Sequence, residues 1–125
     1  DILLATQRKL QLPKLPGGEN AVIDPRKLRD YILSPRHPLG RFKAAFFNTL
    51  GFDADNWALL AAQLRKAALE QEAEPDDRTP YGQKYRVRSM LIGPNGRVAP
   101  VVAVWIVLND EDIAKFVTII PRGRT

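Results

Sequence analysis

One histidine occurs in the chain, His37, and it stands directly before Pro38. Histidine is the only side chain whose unperturbed pKa lies near neutral pH, so it is the residue best suited to transfer a proton here. Metal-independent cleavage of RNA needs one group that takes the 2′-hydroxyl proton, another that protonates the leaving 5′-oxygen, and fixed positive charge at the phosphorane. His37 could fill either of the first two roles. The competing interpretation is a polar residue at the start of a helix, which is the commoner use of a lone histidine.

Positive charge is available in two places. Arg41 and Lys43 follow His37 by about one helical turn, and they could clamp a phosphate or be ordinary exposed helix charges. A predicted strand carries further basic residues on alternate positions: Lys84, Arg86 and Arg88. If both predicted hairpins are symmetric about their turns, the same sheet face also groups other side chains around Ala103: Val101, Trp105 and Thr118.

Such a face would be a cationic surface with one aromatic ring and one hydroxyl, which is suited to holding a phosphodiester while a base stacks beside it. The competing interpretation is a solvated sheet face, in which strand propensity explains Thr118 and Trp105 is a core residue under a loop. The same register assigns the opposite face to the core: Tyr85, Val87, Val102, Val104, Val117 and Ile119. A slip of one residue would exchange the two faces.

The elements that must position these residues begin with three predicted helices. Asp24-Pro25 is an N-cap followed by proline at the first helical position, and this helix ends near Leu33. The second helix starts at Pro38 and ends at Gly51, with a predicted buried stripe of Leu39, Phe42, Phe46 and Leu50. The third is capped by Asp53 or Asp55 and runs to about Gln71, with an inward face of Trp57, Leu60, Ala61, Leu64 and Ala68.

The periodicity changes from helical to alternating at Tyr81, and three strands are predicted at about 81–92, 97–108 and 113–120. The segments 93–96 and 109–112 have the composition of hairpin turns, and the acidic stretch 70–77 is expected to be a solvated loop. The fold class is therefore α+β, with N-terminal helices packed on one face of a C-terminal antiparallel meander.

The composition indicates one domain and favours polyanionic partners. The chain has 125 residues, no cysteine and a formal net charge of +5, so nucleic acid is the first candidate partner and an acidic protein the second. Residues 1–20 are expected to form a linker or docking arm before a body at 21–125, which we expect to be monomeric. The start at Asp1 fits a fragment or processed domain, and no apolar run is long enough to span a bilayer.

Cofactor chemistry is not indicated by the sequence. Acidic residues gather in one segment with a single distant histidine, which does not match the ligand spacing of a metal site. No phosphate-binding loop, dinucleotide fingerprint or serine nucleophile elbow is present. We therefore expect neither metal nor cofactor.

Several motifs together resemble a bacterial domain family of uncharacterised function. They are His37-Pro-Leu-Gly-Arg-Phe-Lys43-Ala-Ala-Phe-Phe, Leu50-Gly-Phe52, Tyr81-Gly-Gln-Lys-Tyr85, Gly93-Pro-Asn-Gly96, Trp105 and Val117-Thr-Ile-Ile-Pro121. That family looks like the tail domains of polymorphic and contact-dependent (CdiA-type) toxins, and it recurs beside small antitoxin-like proteins. The resemblance covers about residues 20–122. The order of helices and meander is also similar to the barnase, EndoU, colicin and RelE (BECR) ribonuclease toxins, an analogy of fold.

The resemblance implies an endoribonuclease that cuts tRNA or another structured RNA. It also implies delivery from a secreted or cell-surface protein into the cytoplasm of a target cell, and neutralisation by an immunity protein. The implied catalytic residues are His37, Lys43, Arg86 and Thr118. The implied RNA-binding residues are Arg41, Tyr81, Lys84, Arg88, Trp105 and Arg122. No acidic general base is obvious, so the base stays unassigned, and Lys or Tyr could take the second proton-transfer role.

The main alternative is a non-enzymatic binding module, for example an accessory domain of a phage or secretion-associated protein. It would bind an acidic partner through the same cationic face. Convergence of His37, Arg86 and Thr118 in the folded chain would favour the enzyme. A deaminase or other transferase is a third alternative, which the absence of metal-ligand spacing disfavours.

Overall fold

The computed structural model describes residues 13–38 and 41–122. Its helical part comes first: a 3-10 turn at Gly18–Asn20, a π-helix at Lys27–Ile32, helix α1 at Arg41–Asn48 and helix α2 at Trp57–Glu70. Four strands follow: β1 at Ala73–Arg78, β2 at Gly82–Ile92, β3 at Val98–Leu108 and β4 at Ala114–Pro121. The fold is α+β, and the three strands predicted from the change of periodicity are confirmed.

The predicted loop at 70–77 is wrong, because most of this acidic segment is strand β1. It pairs antiparallel with β2, with Ala73 opposite Val87 and Glu74 opposite Arg86. Ala73 is buried in the core. Main-chain pairing holds the strand without an alternating hydrophobic pattern, which is why periodicity does not reveal it. Pro75 and an irregular register before Arg78 are features that discourage further pairing at a sheet edge.

The sheet has the order β1-β2-β3-β4, and all its neighbouring pairs are antiparallel. The predicted register of β2 on β3 is wrong by one residue: Arg86 pairs with Val104 and Arg88 with Val102. The turn explains the shift. Gly93 N–H donates to the Arg97 carbonyl at 2.8 Å, so the loop includes Arg97 and is one residue longer than a symmetric turn on 93–96.

The register of β3 on β4 departs from symmetry for a different reason. Trp105 pairs with Phe116, as a symmetric hairpin requires, but Val104 pairs with Thr118. Val117 is the extra residue of a β-bulge, and a bulge shifts all later pairs on its strand. Thr118 therefore lies opposite Val104 and not, as predicted, opposite Ala103.

These two shifts exchange the faces of β3. Trp105 and Ala103 lie on the helix-covered face with Val87 and Ile119, and Trp105 is 0% exposed. Val102 and Val104 are buried as well, but the pairing places them on the opposite side of the sheet with Arg86 and Arg88. We call this second side the outer face. The predicted placement of Trp105 beside the cations is wrong, and so is the placement of Val102 and Val104 under the helices.

The helices pack largely as their patterns predict. In α2, Leu60, Ala61, Leu64 and Ala68 are buried as expected. In α1 the predicted buried stripe is partly wrong. The helix buries Ala44 and Phe47, which were not predicted, whereas Phe42 of the predicted stripe is exposed. Leu50 is buried after the helix, and Gly51 has the predicted left-handed conformation with a φ of 95°. Leu39 lies outside the described residues.

The described part of the predicted N-terminal arm packs on the body. Leu15 belongs to the hydrophobic core, and Lys14 forms a β-bridge with Glu72. Val22 then runs beside β4, where its N–H donates to the Ala114 carbonyl at 2.9 Å. This contact places the π-helix that follows at the β4 edge of the sheet. Residues 1–12 of the predicted arm lie outside the described residues.

Candidate nucleic-acid interface

A pocket of about 480 Å³ lies between the π-helix and the bulged part of β4. We call it the Thr118 pocket. Its walls combine an aromatic ring and aliphatic side chains with charged groups and one hydroxyl: Asp24, Arg26, Lys27, Tyr31, Ile32, Val117 and Thr118. Apolar walls with a few polar groups are typical of small-ligand sites.

Lys43 of α1 reaches the Thr118 pocket. Its ammonium Nζ donates a hydrogen bond of 2.8 Å to Thr118 Oγ1, a contact that spans 75 residues of sequence. Partial burial of the ammonium lowers the pKa of Lys43 below its usual value, because desolvation penalises the charged form. The structure thus brings together two residues that were predicted to be catalytic.

His37 is joined to the pocket through Tyr31. The two rings meet edge to face, with their centroids 4.4 Å apart, and Tyr31 lines the pocket with Thr118. The Arg41 N–H donates to the His37 carbonyl at 3.0 Å, which holds His37 at the start of α1. One ring contact, one shared pocket and one hydrogen bond thus connect four residues: His37, Tyr31, Thr118 and Lys43.

Two cations of the π-helix region complete the rim of the pocket. The Lys27 ammonium donates to the Phe116 carbonyl at 3.0 Å, beside the bulge of β4. Arg26 forms a two-point ion pair with Asp24, whose carboxylate it holds at 2.9 Å. This hydrogen bonding lowers the pKa of Asp24 and keeps the carboxylate ionised.

Arg86 shares the outer face with Thr118, because both residues pair with Val104 from opposite sides. Neighbouring strands are about 4.8 Å apart, so the two Cα atoms are separated by about 10 Å. Lys84 and Arg86 form no ion pair within residues 13–38 and 41–122, whereas Arg88 pairs with Glu74 at 3.0 Å. The outer face therefore carries Arg86 directly across β3 from Thr118, with Lys84 two residues before it on β2.

Other residues predicted to bind RNA lie apart from this cluster. Trp105 is in the core and cannot stack on a base. Tyr81 is exposed in the turn before β2, and Arg41 lies over the exposed Phe42 ring, 4.9 Å from its centroid. Arg122 and Arg88 line a second groove of about 610 Å³. This groove lies between α2 and the part of the β2 edge with which β1 does not pair.

Sequence reasoning missed Tyr31, because its helical spacing with Leu28 and Ile32 indicates only that the three residues share a helix face. The segment Lys27–Ile32 is a π-helix, in which the Leu33 N–H donates to the Leu28 carbonyl five residues back at 2.8 Å. The wider turn leaves Tyr31 half-buried at the pocket while Leu28 and Ile32 enter the core. Short π-helical segments are frequent at functional sites, but no local sequence pattern distinguishes them from an α-helix.

The described residues include neither a metal-ligand cluster nor a membrane-spanning helix. In the ranges 13–38 and 41–122, no group of three or more His, Asp or Glu side chains is placed to hold a metal ion. No helix in the described part of the chain is long and apolar enough to cross a membrane.

Comparison with known proteins gives a fold neighbour and a family. No protein of curated function matches the sequence. A solved structure titled as a contact-dependent growth inhibition toxin and immunity protein complex from Klebsiella pneumoniae 342 contains a chain of similar fold, with a TM-score of 0.64 and 24% identity. The match covers 86% of this chain and 98% of that chain. The model of a family described as a domain of unknown function, DUF6883, matches residues 14–123, so the chain belongs to the DUF6883 family.

Proposed function

We propose that the chain is the toxin domain of a contact-dependent growth inhibition system and that it is a metal-independent endoribonuclease. The observation that carries the proposal is the hydrogen bond from Lys43 to Thr118 in a pocket that also holds Tyr31. The fold neighbour from a toxin and immunity protein complex supports the toxin role. The order of helices and sheet supports a BECR-like ribonuclease.

The site has the groups that transesterification of RNA requires. The 2′-oxygen attacks phosphorus and the bond to the 5′-oxygen breaks, which leaves a 2′,3′-cyclic phosphate and a 5′-hydroxyl. One group must take the 2′-hydroxyl proton and another must protonate the 5′-oxygen. His37 and Tyr31 are adjacent candidates for these two transfers. Lys43 and Arg86 would stabilise the charge of the phosphorane, and the Thr118 hydroxyl would donate to one of its oxygens.

The Thr118 pocket would hold the nucleoside next to the scissile phosphate. Tyr31, Ile32 and Val117 supply the apolar wall and the aromatic ring against which a base can stack. In this role Tyr31 replaces Trp105, whose ring is buried. Lys84, Arg88 and Arg122 would contact phosphates of the flanking RNA, with Arg41 and Tyr81 at the periphery.

The biological setting follows from the same proposal. The substrate would be tRNA or another structured RNA, and the domain, residues 21–125 with the packed segment 13–20 before it, would act as a monomer in the target-cell cytoplasm. It would arrive there as part of a larger secreted or cell-surface protein. An acidic immunity protein would neutralise it in the producing cell, since the chain has a net charge of +5.

A non-enzymatic module that binds an acidic partner is the second candidate. It is favoured by Lys84 and Arg86, which have no ion-pair partner among the described residues. It gives no reason for the hydrogen bond between Lys43 and Thr118, because a surface that binds only by charge does not need a half-buried ammonium.

Incubation of the purified chain with total tRNA in EDTA tests the proposal. We expect discrete fragments that end in a 2′,3′-cyclic phosphate, and a large loss of fragments with Thr118→Val. Binding of RNA without cleavage by the unaltered chain would favour the binding module. Cleavage that requires added metal ion would overturn the mechanism.

A further inference from the structure

We infer that the part of the outer face next to the turn between β2 and β3 is a docking surface. Its partner would be an immunity protein that is acidic and has an apolar contact region. This inference rests on the proposed function. The surface is an apolar patch of four exposed side chains from β2, β3 and β4: Met90, Ile92, Val98 and Ile120.

The four side chains lie on one side of the sheet. Ile92 pairs directly with Val98, and Met90 pairs with Pro100, so these positions share the outer face. Ile120 joins them from β4, because it pairs with Val102. Their exposures are 58% for Met90, 56% for Ile92, 52% for Val98 and 44% for Ile120. Contiguous exposed apolar side chains with a polar rim are typical of protein interaction sites.

Two arginines border the apolar patch at the turn and at the end of β4. Arg97 lies in the turn between Ile92 and Val98, and Arg122 follows β4, where its N–H donates to the Pro100 carbonyl at 3.0 Å. Both side chains are exposed and form no ion pair with another described residue. An acidic partner would supply the missing counter-charges.

The charge distribution also disfavours other occupants and other orientations. A second copy of this chain, with its net charge of +5, would bring like charges together. Strand β1 carries Asp76 and Asp77 at the opposite edge of the sheet, and these would repel an acidic partner. The partner is therefore directed toward β3, β4 and the hairpin turn.

A partner in this position would block the Thr118 pocket without entering it. Ile120 lies two residues after Thr118 on β4, which places them about 7 Å apart along the strand. A standard interface covers about 800 Å² on each partner, so a protein centred on the apolar patch would extend over Thr118 and Arg86. Inhibition and substrate binding would then share one sheet face.

The test uses the purified chain and the product of the gene adjacent to its own. We expect tight binding by calorimetry at physiological salt. Ile92→Glu should weaken it by at least about 30-fold, since it places a buried like charge at the centre of an interface. Ile92→Lys should weaken it less, because it removes the apolar contact but keeps the favourable charge. Leu59→Glu, an exposed apolar position on α2, is the matched control and should bind normally.

RNA cleavage by Ile92→Glu reports on folding and separates the two proposals. We expect it to cleave RNA like the unaltered chain while it escapes inhibition. An unaltered chain that cleaves RNA but does not bind the adjacent gene product, or an Ile92→Glu variant that binds it as tightly, would overturn the docking surface alone. A concentration-dependent dimer in sedimentation that Ile92→Glu dissociates would assign the patch to a second copy instead. A chain that binds the product through the patch and cleaves no RNA would overturn only the nuclease.

Discussion

Thr118→Val should reduce RNA cleavage much more than it reduces stability. The substitution keeps the volume and the branched shape of the side chain, and it removes only Oγ1, which accepts the 2.8 Å hydrogen bond from Lys43. A hydrogen bond from a charged donor contributes about 1.5–3 kcal/mol when it is fully buried. Lys43 is only half-buried, so its ammonium can turn toward water, and we expect a loss of about 1 kcal/mol in the free energy of unfolding.

The effect on the rate should be larger, because a donor aimed at the phosphorane acts on the transition state. Loss of one such donor lowers the rate by about 100- to 1,000-fold. Urea denaturation measures the stability, and single-turnover cleavage of a defined RNA measures the rate. Thr118→Ser keeps the hydroxyl and is the matched control, which should retain most of the activity.

A double-mutant cycle with Lys43→Met tests whether the two residues act together. Because each variant removes the same hydrogen bond, their combined loss of stability should be smaller than the sum of the single losses, by about 1 kcal/mol. Their effects on the rate should also be less than multiplicative. Near wild-type cleavage by Thr118→Val would refute the assignment of the pocket as the active site.

The remaining predictions address charge, protonation and packing. Arg86→Ala should lower the slope of log affinity for RNA against log salt by about one unit, since one phosphate contact is lost; an unchanged slope would place RNA on another surface. His37→Ala should lower the rate by about 100- to 10,000-fold and leave the chain folded, as circular dichroism would show; retained cleavage would remove His37 from the mechanism. Burial lowers the pKa of Lys43 in the folded chain below its ordinary value of 10.5. Between the lowered pKa and the ordinary one, the folded chain therefore binds fewer protons than the unfolded chain. The stability of the unaltered chain relative to Lys43→Met should therefore rise with pH through that window, a trend that urea midpoints would reveal or contradict. Gly93→Ala should destabilise the chain by about 3 kcal/mol, because a Cβ at Gly93 would overlap the Leu50 carbonyl; an unchanged melting temperature would contradict this packing.

Several features of the fold could be predicted from local sequence patterns. The strands at 82–92, 98–108 and 114–121 follow from alternation between turn segments, and the buried residues of α2 follow from helical spacing. Strand β1 could not be predicted in this way, because its acidic residues have no alternating pattern and its position depends on pairing with β2. The π-helix was hidden for a related reason, since its hydrogen bonds and not its composition distinguish it from an α-helix.

The candidate site was predicted in part. Residue type pointed to His37 and Lys43, because few side chains can transfer protons or hold a phosphate at neutral pH. Thr118 was added by the predicted sheet face and by the family resemblance. Their proximity depends on contacts that are distant in sequence: α1 lies beside β4, and Tyr31 lies between His37 and the pocket. The sequence offered no way to assign Tyr31 to this site.

The sequence by itself determined the α+β class, the order of helices before strands and the kinds of side chain available for chemistry, because these depend on local periodicity and composition. Only the tertiary structure decided which side chains share a surface. One additional residue in the turn at Arg97 and one bulge residue at Val117 moved Trp105 into the core and placed Thr118 beside Val104. Side chains alternate between the two faces of a strand at every residue, so a shift of one position exchanges core and surface, and long-range packing alone determines that position.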